Sequence, residues 1–427
     1  MKKVPRLRFR GFQEDWELCK FGVTNSYFTD GNYGESYPSA DELSDKLNGV
    51  PFLRGCNLKN GRLVEEDANY ITPEKHAELT SGHLELDDIV VAVRGSLGAL
   101  GYAGQENVGW NINSQLAIIR TDKSELKGQF LIQYLLSSKG QKELLSRNTG
   151  TALKQLPIKQ LKDVPVPIPI IDEQDKIGSF FVNLDTTITL HQRKLEQLKE
   201  FKKAYLQVMF PVKDERVPKL RFADFEEEWE HRKLDDSIKV MDGDRGANYP
   251  HDTDFFKDGD TLFLDTGNVT KNGFKFDSVK YITNEKDEQL RAGKLEKNDF
   301  VLTSRGTLGN VGFYDEVVYN LHPKIRINSA MLILRNTDEQ LSYSYLHTLL
   351  KGQLISDFMK KNQLGSAQPH ITKSEFLKLN LNVPRNINEQ NKIGNFFKSL
   401  DVTITLHQNK LTQLKSLKKS YLQNMFI

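Results

Sequence analysis

The chain has 427 residues, 38% of them hydrophobic, and a nearly balanced net charge of +2 at pH 7. This length predicts two or three domains with real hydrophobic cores, and this charge neither requires nor excludes a polyanionic partner. The sequence contains no apolar run long enough to span a membrane and no apolar signal segment near Met1, and Cys19 and Cys56 are too few for a disulfide framework, so we expect a cytoplasmic protein.

The sequence repeats itself over almost its whole length. Its opening, Val4-Pro5-Arg6-Leu7-Arg8-Phe9, matches Val217-Pro218-Lys219-Leu220-Arg221-Phe222 about half a chain later. Further matches keep the same order, among them Arg94-Gly95-Ser96-Leu97-Gly98 with Arg305-Gly306-Thr307-Leu308-Gly309. A period near 213 residues is far longer than that of a solenoid, so it indicates a duplicated pair of domains.

Each half begins with a globule that is predicted to mix strands and helices. Short apolar runs rich in β-forming residues end at glycine or small residues and indicate strands, and a longer helical pattern follows them. The fold class expected is therefore α+β, with two tandem α/β domains. The predicted strands cover 88–94, 116–120, 299–305 and 330–335, and the predicted helices cover 129–146 and 341–361.

A second repeated segment closes each half. Asp172–Phe210 and Asn388–Phe426 are identical at 27 of 39 positions. In both, apolar or semi-apolar residues recur every four and three positions, which is the spacing of a helix packed lengthwise against another helix. One surface helix on a core is the alternative, but it does not account for two near-identical seams. The seam residues are Ile177, Phe181, Leu184, Ile188, His191, Leu195, Leu198, Ile393, Phe397, Leu400, Ile404, His407, Leu411 and Leu414.

The order of globules and helices predicts how the helices run. If the first helix carries the chain to the second globule, the second helix must return, so we expect two long helices in an antiparallel coiled coil with an approximate two-fold axis. His191 then lies near His407, either to fix the helix register or as a pH switch or metal pair. The predicted domains are 1–170 (first globule), 171–212 (central spacer helix), 213–386 (second globule) and 387–427 (C-terminal spacer helix).

No catalytic motif stands out in the sequence. It lacks an Asn or Asp followed by Pro-Pro and an aromatic residue, which would hold a flipped adenine for methylation, and it lacks the Gly-x-x-x-x-Gly-Lys of a phosphate-binding loop. Asp122 with Glu125-Leu126-Lys127 is a weak nuclease-like pattern that has no counterpart in the second half. We therefore expect a protein that reads its target without catalysis, with no catalytic residue and no metal site.

The duplicated layout, the Pro-x-Leu-Arg-Phe openings, the Arg-Gly-Ser/Thr-Leu-Gly turns and the Glu-Gln-x-Lys-Ile-Gly helix starts resemble a type I restriction-modification specificity subunit over the full chain. The resemblance implies that each globule is a target recognition domain reading one half of an interrupted double-stranded DNA site, in the cytoplasm of a bacterium or archaeon. It further implies two adenine-N6 methyltransferase subunits docked on the helices and globules, and two ATP-driven endonuclease subunits. S-adenosylmethionine, ATP and Mg²⁺ would be bound by these partners and none by this chain.

Two functions of other classes stay open. A self-sufficient nuclease would require a metal-binding carboxylate cluster that the repeat does not provide, and a coiled-coil scaffold would bind partners without any preference for a DNA sequence. Under the favoured interpretation, a 39-residue helix is about 58 Å long. After allowance for tilt, we expect two different half-sites separated by about five to eight unread base pairs.

The residues expected to contact DNA lie in loops. Arg94 and Arg305 hold the same position in the two halves, so they suit phosphate contact or a structural ion pair. Bases, in contrast, are read by residues that differ between the halves. The segments just before each spacer helix differ between the halves and are the better candidates for specificity. The predicted DNA-binding residues are Asn32, Tyr33, Tyr37, Arg54, Asn57, Lys59, Asn60, Arg94, Ser96, Thr151, Lys154 and Gln155 in the first globule and Arg245, Asn248, Tyr249, Asn268, Lys271, Asn272, Arg305, Thr307, Ser366, Gln368 and His370 in the second.

Overall fold

A computed structural model describes residues 4–150, 154–212, 215–362 and 370–427 of the chain. Within these ranges the residues cluster into two units. Unit 1 contains the described residues up to Arg193 together with Gln408–Ile427, and unit 2 contains Lys194–His407. The division falls within both long helices, so each unit consists of a globule and parts of two helices.

The globule of unit 1 is built on mixed sheets with helices packed against them. Its strands form sheets in the spatial orders 2-11-8-9-6-5, 10-4-7-3 and 1-12. In chain order the elements are β1 (Glu17–Lys20), β2 (Tyr27–Asp30), β3 (Leu43–Ser44), β4 (Val50–Leu53), β5 (Leu58–Lys59), β6 (Gly61–Leu63), β7 (Asn69–Ile71), α1 (Pro73–Glu78), β8 (Ile89–Ala92), β9 (Leu100–Tyr102), β10 (Asn111–Ile112), β11 (Leu116–Arg120), α2 (Gly128–Leu136), α3 (Ser138–Leu145), α4 (Ile158–Leu161) and β12 (Pro165–Ile168).

The central strand β8 of unit 1 is buried on both faces. Ile89 and Val91 belong to one apolar cluster, while Val90 and Ala92 belong to another. The split follows from the alternation of side chains along a strand, and β11 is divided in the same way. Burial on both faces explains why the sequence shows continuous apolar runs here instead of an apolar and polar alternation.

The long helix α5 (Ile171–Val208) follows β12, and the globule of unit 2 repeats the same kind of architecture. Its strands form sheets in the orders 14-22-19-20, 18-15-21, 13-23 and 16-17. The elements are β13 (Glu230–Lys233), α6 (Leu234–Ser237), β14 (Ile238–Asp242), β15 (Thr261–Leu264), β16 (Val269–Thr270), β17 (Gly273–Phe274), β18 (Lys280–Ile282), α7 (Asn284–Gln289), β19 (Phe300–Thr303), β20 (Val311–Phe313), α8 (Glu316–Leu321), β21 (Ile325–Ile327), β22 (Met331–Asn336), α9 (Tyr343–Lys351), α10 (Gln353–Asn362), α11 (Lys373–Phe376), β23 (Asn380–Val383) and the second long helix α12 (Ile387–Asn424).

Two of the predicted helices are each divided into two shorter helices. The pattern over 129–146 becomes α2 and α3, because Ser137 has an extended backbone and its hydroxyl accepts the N–H of Gly140, capping α3. The pattern over 341–361 becomes α9 and α10, with Gly352 in an extended conformation between them. The α+β fold class and the two long helices are as the sequence predicts.

In unit 1 the parts of the two long helices run antiparallel. The Phe181 ring stacks on Phe426 with centroids 6.1 Å apart, and one turn further along α5 the Asp185 carboxylate pairs with Lys418 at 2.6 Å. Residue numbers thus rise along one helix while they fall along the other. The residues that follow α12 end in the core of the globule, where Phe426 lies against Trp16 with centroids 6.4 Å apart.

Unit 2 repeats this arrangement with the roles of the helices exchanged. Tyr205 of α5 meets Phe396 of α12 edge-on at 5.1 Å, and Lys202 pairs with Asp401 at 2.5 Å, so the helices are again antiparallel. Here the residues after α5 enter the core, and Phe210 lies next to Trp229, Tyr345 and Phe397.

The predicted seam residues are largely covered in their own units. Ile188, His191, Leu400, Ile404 and His407 are partly exposed, and the predicted proximity of the two histidines stays a prediction. The buried seam residues are Ile177, Phe181, Leu184, Leu195, Leu198, Ile393, Phe397, Leu411 and Leu414.

The opening motif and the helix start hold each other in both units. In unit 1 the Arg8 guanidinium binds the Glu173 carboxylate twice, at 2.7 and 2.8 Å, and Trp16 Nε1 donates to the same carboxylate at 3.0 Å. In unit 2 Arg221 binds Glu389 at 2.6 and 2.8 Å. Both glutamates are fully buried, so each arginine compensates a carboxylate that would otherwise be costly to desolvate.

Because His347 in α9 is largely buried, we expect the stability of unit 2 to fall in acid. Its ring packs 5.8 Å from Phe300 and 5.5 Å from Phe313, and burial, helped by Lys351, lowers its pKa to about 4. Between this value and the unfolded value of about 6.5, only the unfolded chain binds the proton. The free energy of unfolding should therefore fall as the pH is lowered through that window, by up to about 3 kcal/mol.

This expectation is checked by unfolding the His347→Ile variant in urea at several pH values, with hydrogen exchange of the amides in unit 2 as the readout. Isoleucine is the residue at the matching fifth position of α2, Ile132, where it is buried. The substitution should flatten the pH dependence between pH 6.5 and 4 relative to the natural chain. Equal acid slopes for the two proteins would contradict the prediction.

Candidate nucleic-acid interface

Three separate segments meet at one end of the sheet in unit 1. Arg94, two residues after the end of β8, donates from Nε to Gln155 Oε1 at 3.0 Å. Its guanidinium carbon lies 5.1 Å from the centroid of the Tyr33 ring, and the Tyr33 hydroxyl donates to Asp30 Oδ2 at 3.1 Å. We call Asp30, Tyr33, Arg94 and Gln155 loop cluster 1. It joins the Gly-rich loop, the Arg-Gly turn and the segment before α4.

The matching segments meet in unit 2. Asp242, Arg245, Arg305 and His370 line one open groove, and we call them loop cluster 2. Arg245 donates to Asp242 Oδ1 at 3.1 Å, while the side chain of Arg305 is exposed. The same backbone hydrogen bond ties the last segment to the turn in each unit, from Leu156 N to Val93 O and from Ile371 N to Ser304 O, both 3.0 Å.

Glycines allow these segments to approach one another. A Cβ atom on Gly31 or Gly243 would lie 2.3 or 2.2 Å from a backbone carbonyl oxygen, so no other residue fits there without a shift. Gly95 and Gly306 have φ angles of 68° and 71°, which favour glycine in the turn after the shared arginine. The shared glycines therefore allow the same loop conformation in both halves, and the side chains that differ between the halves project from these loops.

The Asn32 side chain stabilises the Gly-rich loop from inside and is not available at the surface of loop cluster 1. It is buried, and its amide donates to Ser81 O at 2.8 Å. Asp244 takes its place in unit 2. Although burial opposes the shift, hydrogen bonds from the backbone N–H groups of Gly246, Arg291 and Ala292 lower the pKa of Asp244. Both side chains serve the conformation of the loop, and Asn32 is left out of the interface proposed below.

Asn57 and Asn268 are also used by the fold. Asn57 is fully buried and donates to the carbonyl oxygens of Val64 and Glu66 at 3.0 and 2.9 Å. Asn268 repeats this with two carbonyl oxygens at 3.0 and 2.8 Å. Their amides close a loop in each unit and do not reach solvent, so we remove them from the set of predicted DNA contacts.

The polar hairpin tips predicted to contact DNA are placed elsewhere in the units. Lys271 and Asn272 line a cleft together with Val402 and Leu406 of α12, so they lie beside a spacer helix and not in loop cluster 2. In unit 1, Asn60 adopts a left-handed conformation with φ 53° at the matching tip. The neighbouring Lys59 is exposed and pairs with Glu66 at 2.6 Å.

The remaining predicted contacts lie in other loops of the two units. Arg54 donates to Asp67 O at 2.7 Å, and Asn248 donates to Gln289 O at 3.2 Å. Tyr37, Ser96, Lys154, Tyr249 and Thr307 are wholly or partly exposed. Thr151, Ser366 and Gln368 fall outside the described residues.

Sequence analysis missed the acidic members of the clusters, Asp30 and Asp242. Each carboxylate fixes the side chain three residues later, Tyr33 in one unit and Arg245 in the other. The signal was available, because an aspartate precedes the glycine in both Gly-rich loops.

Other kinds of site are not evident in the described ranges. No group of three or more His, Cys, Asp or Glu side chains among these residues is placed to hold a metal ion. Every helix in the parts of the chain that the structure describes is too short or too polar to cross a membrane.

Comparisons with known proteins agree on one family. The family model for the type I restriction modification DNA specificity domain matches residues 36–200 and again 226–416. The chain is 21% identical over 416 residues to the type I restriction enzyme MjaVIII specificity subunit of Methanocaldococcus jannaschii, covering 95% of this chain and 91% of that one. It is 28% identical over 145 residues to the EcoBI specificity subunit of Escherichia coli, covering 34% of this chain and 30% of that one.

Solved structures show the same fold. The type I restriction-modification S subunit from M. genitalium superimposes with a TM-score of 0.66 at 14% identity, covering 99% of both chains. A chain from a structure on the complex assembly and conformational transition of the type I R-M system gives a TM-score of 0.52 at 14% identity, covering 96% of this chain and 97% of that one.

Proposed function

The chain belongs to the type I restriction-modification DNA specificity family and carries two copies of its domain, and we propose that each unit reads one half of an asymmetric, bipartite double-stranded DNA site through its loop cluster. The specificity function is that of the family. The assignment of the half-sites to the two clusters is our proposal.

One observation carries this proposal. The two clusters share a scaffold of glycines and an arginine, Arg94 or Arg305, but differ beside it: Tyr33 is replaced by Arg245, and Gln155 by His370. A shared arginine suits the DNA backbone or a common base, whereas different neighbours give different base preferences. Identical clusters would read a palindrome, so these clusters suit two different half-sites.

We propose that the long helices set the distance between the half-sites and dock the partner subunits. Helices of 38 residues are about 57 Å long. Five to eight unread base pairs, about half to three quarters of a turn of DNA, remain our expectation after tilt is allowed for. The partners would be two adenine-N6 methyltransferase subunits and two ATP-driven endonuclease subunits, which would bind S-adenosylmethionine, ATP and Mg²⁺ in the cytoplasm of a bacterium or archaeon.

Adenine methylation mapped by long-read sequencing tests the function. A cell that expresses this chain with its cognate methyltransferase should show a bipartite asymmetric motif that is absent from the same cell without the chain. A chimaera in which residues 215–386 are replaced by the matching part of a relative should change one half of the motif and keep the other. Methylation that does not depend on this chain would overturn the proposal in favour of a scaffold without sequence preference.

A further inference from the structure

Arg94 is held on two sides in loop cluster 1. Gln155 Oε1 accepts from its Nε at 3.0 Å, and the Tyr33 ring lies 5.1 Å below its guanidinium carbon. Tyr33 is itself fixed by its hydrogen bond to Asp30 at 3.1 Å. Burial and the Asp30 carboxylate raise the pKa of Tyr33, so the phenol keeps the proton that it donates. A long, flexible side chain is thereby restricted to one orientation.

The restraints leave the outer edge of Arg94 available. Within the described ranges its Nε is used by Gln155 and the guanidinium also interacts with the Tyr33 hydroxyl, but the side chain is only partly buried. Two parallel N–H groups match two acceptors side by side, which occur both on a phosphate and on the O6 and N7 edge of guanine. Loop cluster 1 thus presents a rigid two-donor edge to a ligand with two acceptors.

Restraint distinguishes these two ligands. A phosphate needs a nearby positive charge, which an unrestrained arginine or lysine supplies, whereas a base edge must be met at one position and one angle. In unit 2 the shared Arg305 is exposed, and Arg245 stands where unit 1 has the aromatic ring. Among the described residues, the groups that aim the arginine are therefore specific to unit 1, as expected for base recognition and not for a backbone contact common to both halves.

We propose that Arg94 reads a guanine in the half-site of unit 1, and that Tyr33 and Gln155 are the positioning residues that aim it. This inference rests on the proposed function above and differs from the expectations from sequence, which were a phosphate contact or a structural ion pair for Arg94. Arg305 keeps the backbone role.

The test maps the methylation motif directed by Arg94→Lys, with the chain in its complex with the cognate methyltransferase. Lysine keeps the positive charge for a phosphate but lacks the planar pair of donors for guanine. The preference for guanine at one position of one half-site should fall by about 5- to 150-fold, the range for a bidentate base contact, while the other half-site stays unchanged. An unchanged motif at the same level of methylation would assign Arg94 to phosphate and overturn the inference.

Positioning variants give a second, independent measurement. Gln155→Ala and Tyr33→Leu should relax the same guanine, and Tyr33→Phe should relax it less because the ring is retained. Arg305→Lys is the matched comparison in unit 2: because a backbone contact carries no sequence information, any change in methylation should be the same at every site, with no change in the preferred base at any position. If the positioning variants lower methylation uniformly without altering the motif, the inference fails. A natural chain that directs no motif at all would instead overturn the proposed function itself.

Discussion

Replacing Phe426 by alanine should destabilise unit 1 by about 3–5 kcal/mol, the usual cost of emptying a buried aromatic site. The ring is fully buried and forms the centre of an aromatic cluster. Its centroid lies 6.4 Å from Trp16, 5.6 Å from Phe130, 5.8 Å from Tyr134 and 6.1 Å from Phe181. The cavity would be lined by rings from α2, from α5 and from Trp16, and rigid rings close a void only in part.

Hydrogen exchange resolved by unit, together with urea unfolding, measures this loss. Phe201→Ala is the matched control, since that ring is 53% exposed on α5, and its removal should change the free energy of unfolding by about 0.5 kcal/mol or less. Phe210 is the counterpart of Phe426 in the repeat, so Phe210→Ala should reduce the protection of amides in unit 2 and leave that in unit 1 unchanged. Unaltered exchange in unit 1 after Phe426→Ala would show that the end of the chain does not complete that core.

Glu173→Gln should cost unit 1 a similar amount, about 3–5 kcal/mol, because it removes the charge that compensates Arg8. The carboxylate is fully buried and the Arg8 side chain is 13% exposed, so water does little to replace the lost partner. The amide also brings N–H groups towards a guanidinium that can only donate. The start of α5 should loosen first, where the opening motif is attached.

Glu389→Gln provides the internal comparison. It breaks the equivalent pair with Arg221, so its loss of protection should appear in unit 2. A double variant, Arg8→Met with Glu173→Leu, should be less destabilised than Glu173→Gln, since no unpaired charge remains. Equal losses for the single and double variants in urea would refute the assignment of the cost to an uncompensated charge.

The two long helices were predictable because their periodicity is long and repeated. Ile177, Phe181 and Leu184 follow the spacing of a helix packed lengthwise against another helix, and the copy in α12 identifies the partner. The breaks at Ser137 and Gly352 were not predictable from that signal. The apolar positions on either side of each break face the same core, so hydrophobic periodicity continues across a residue whose backbone has already left the helix.

The interface could be predicted only in part. Sequence placed Tyr33, Arg94 and Gln155 in three loops, but their convergence depends on how those loops leave the sheet, which no local pattern encodes. Asn57 and Asn268 were misjudged because a polar loop residue looks the same in sequence whether its amide faces water or closes its own loop. The repeat was informative here, since both halves keep this asparagine.

The residues that follow α12 complete the core of unit 1, and those that follow α5 complete the core of unit 2. This arrangement determines the order in which the two cores can form during synthesis. Unit 2 draws all its described residues from Lys194–His407, so its core can close as soon as that stretch has left the ribosome. Unit 1 begins earlier but needs Met425 and Phe426, which are synthesised after every residue of unit 2. Although domains usually fold from the N-terminus onwards during translation, here the core of unit 1 stays incomplete until the whole of unit 2 has been made.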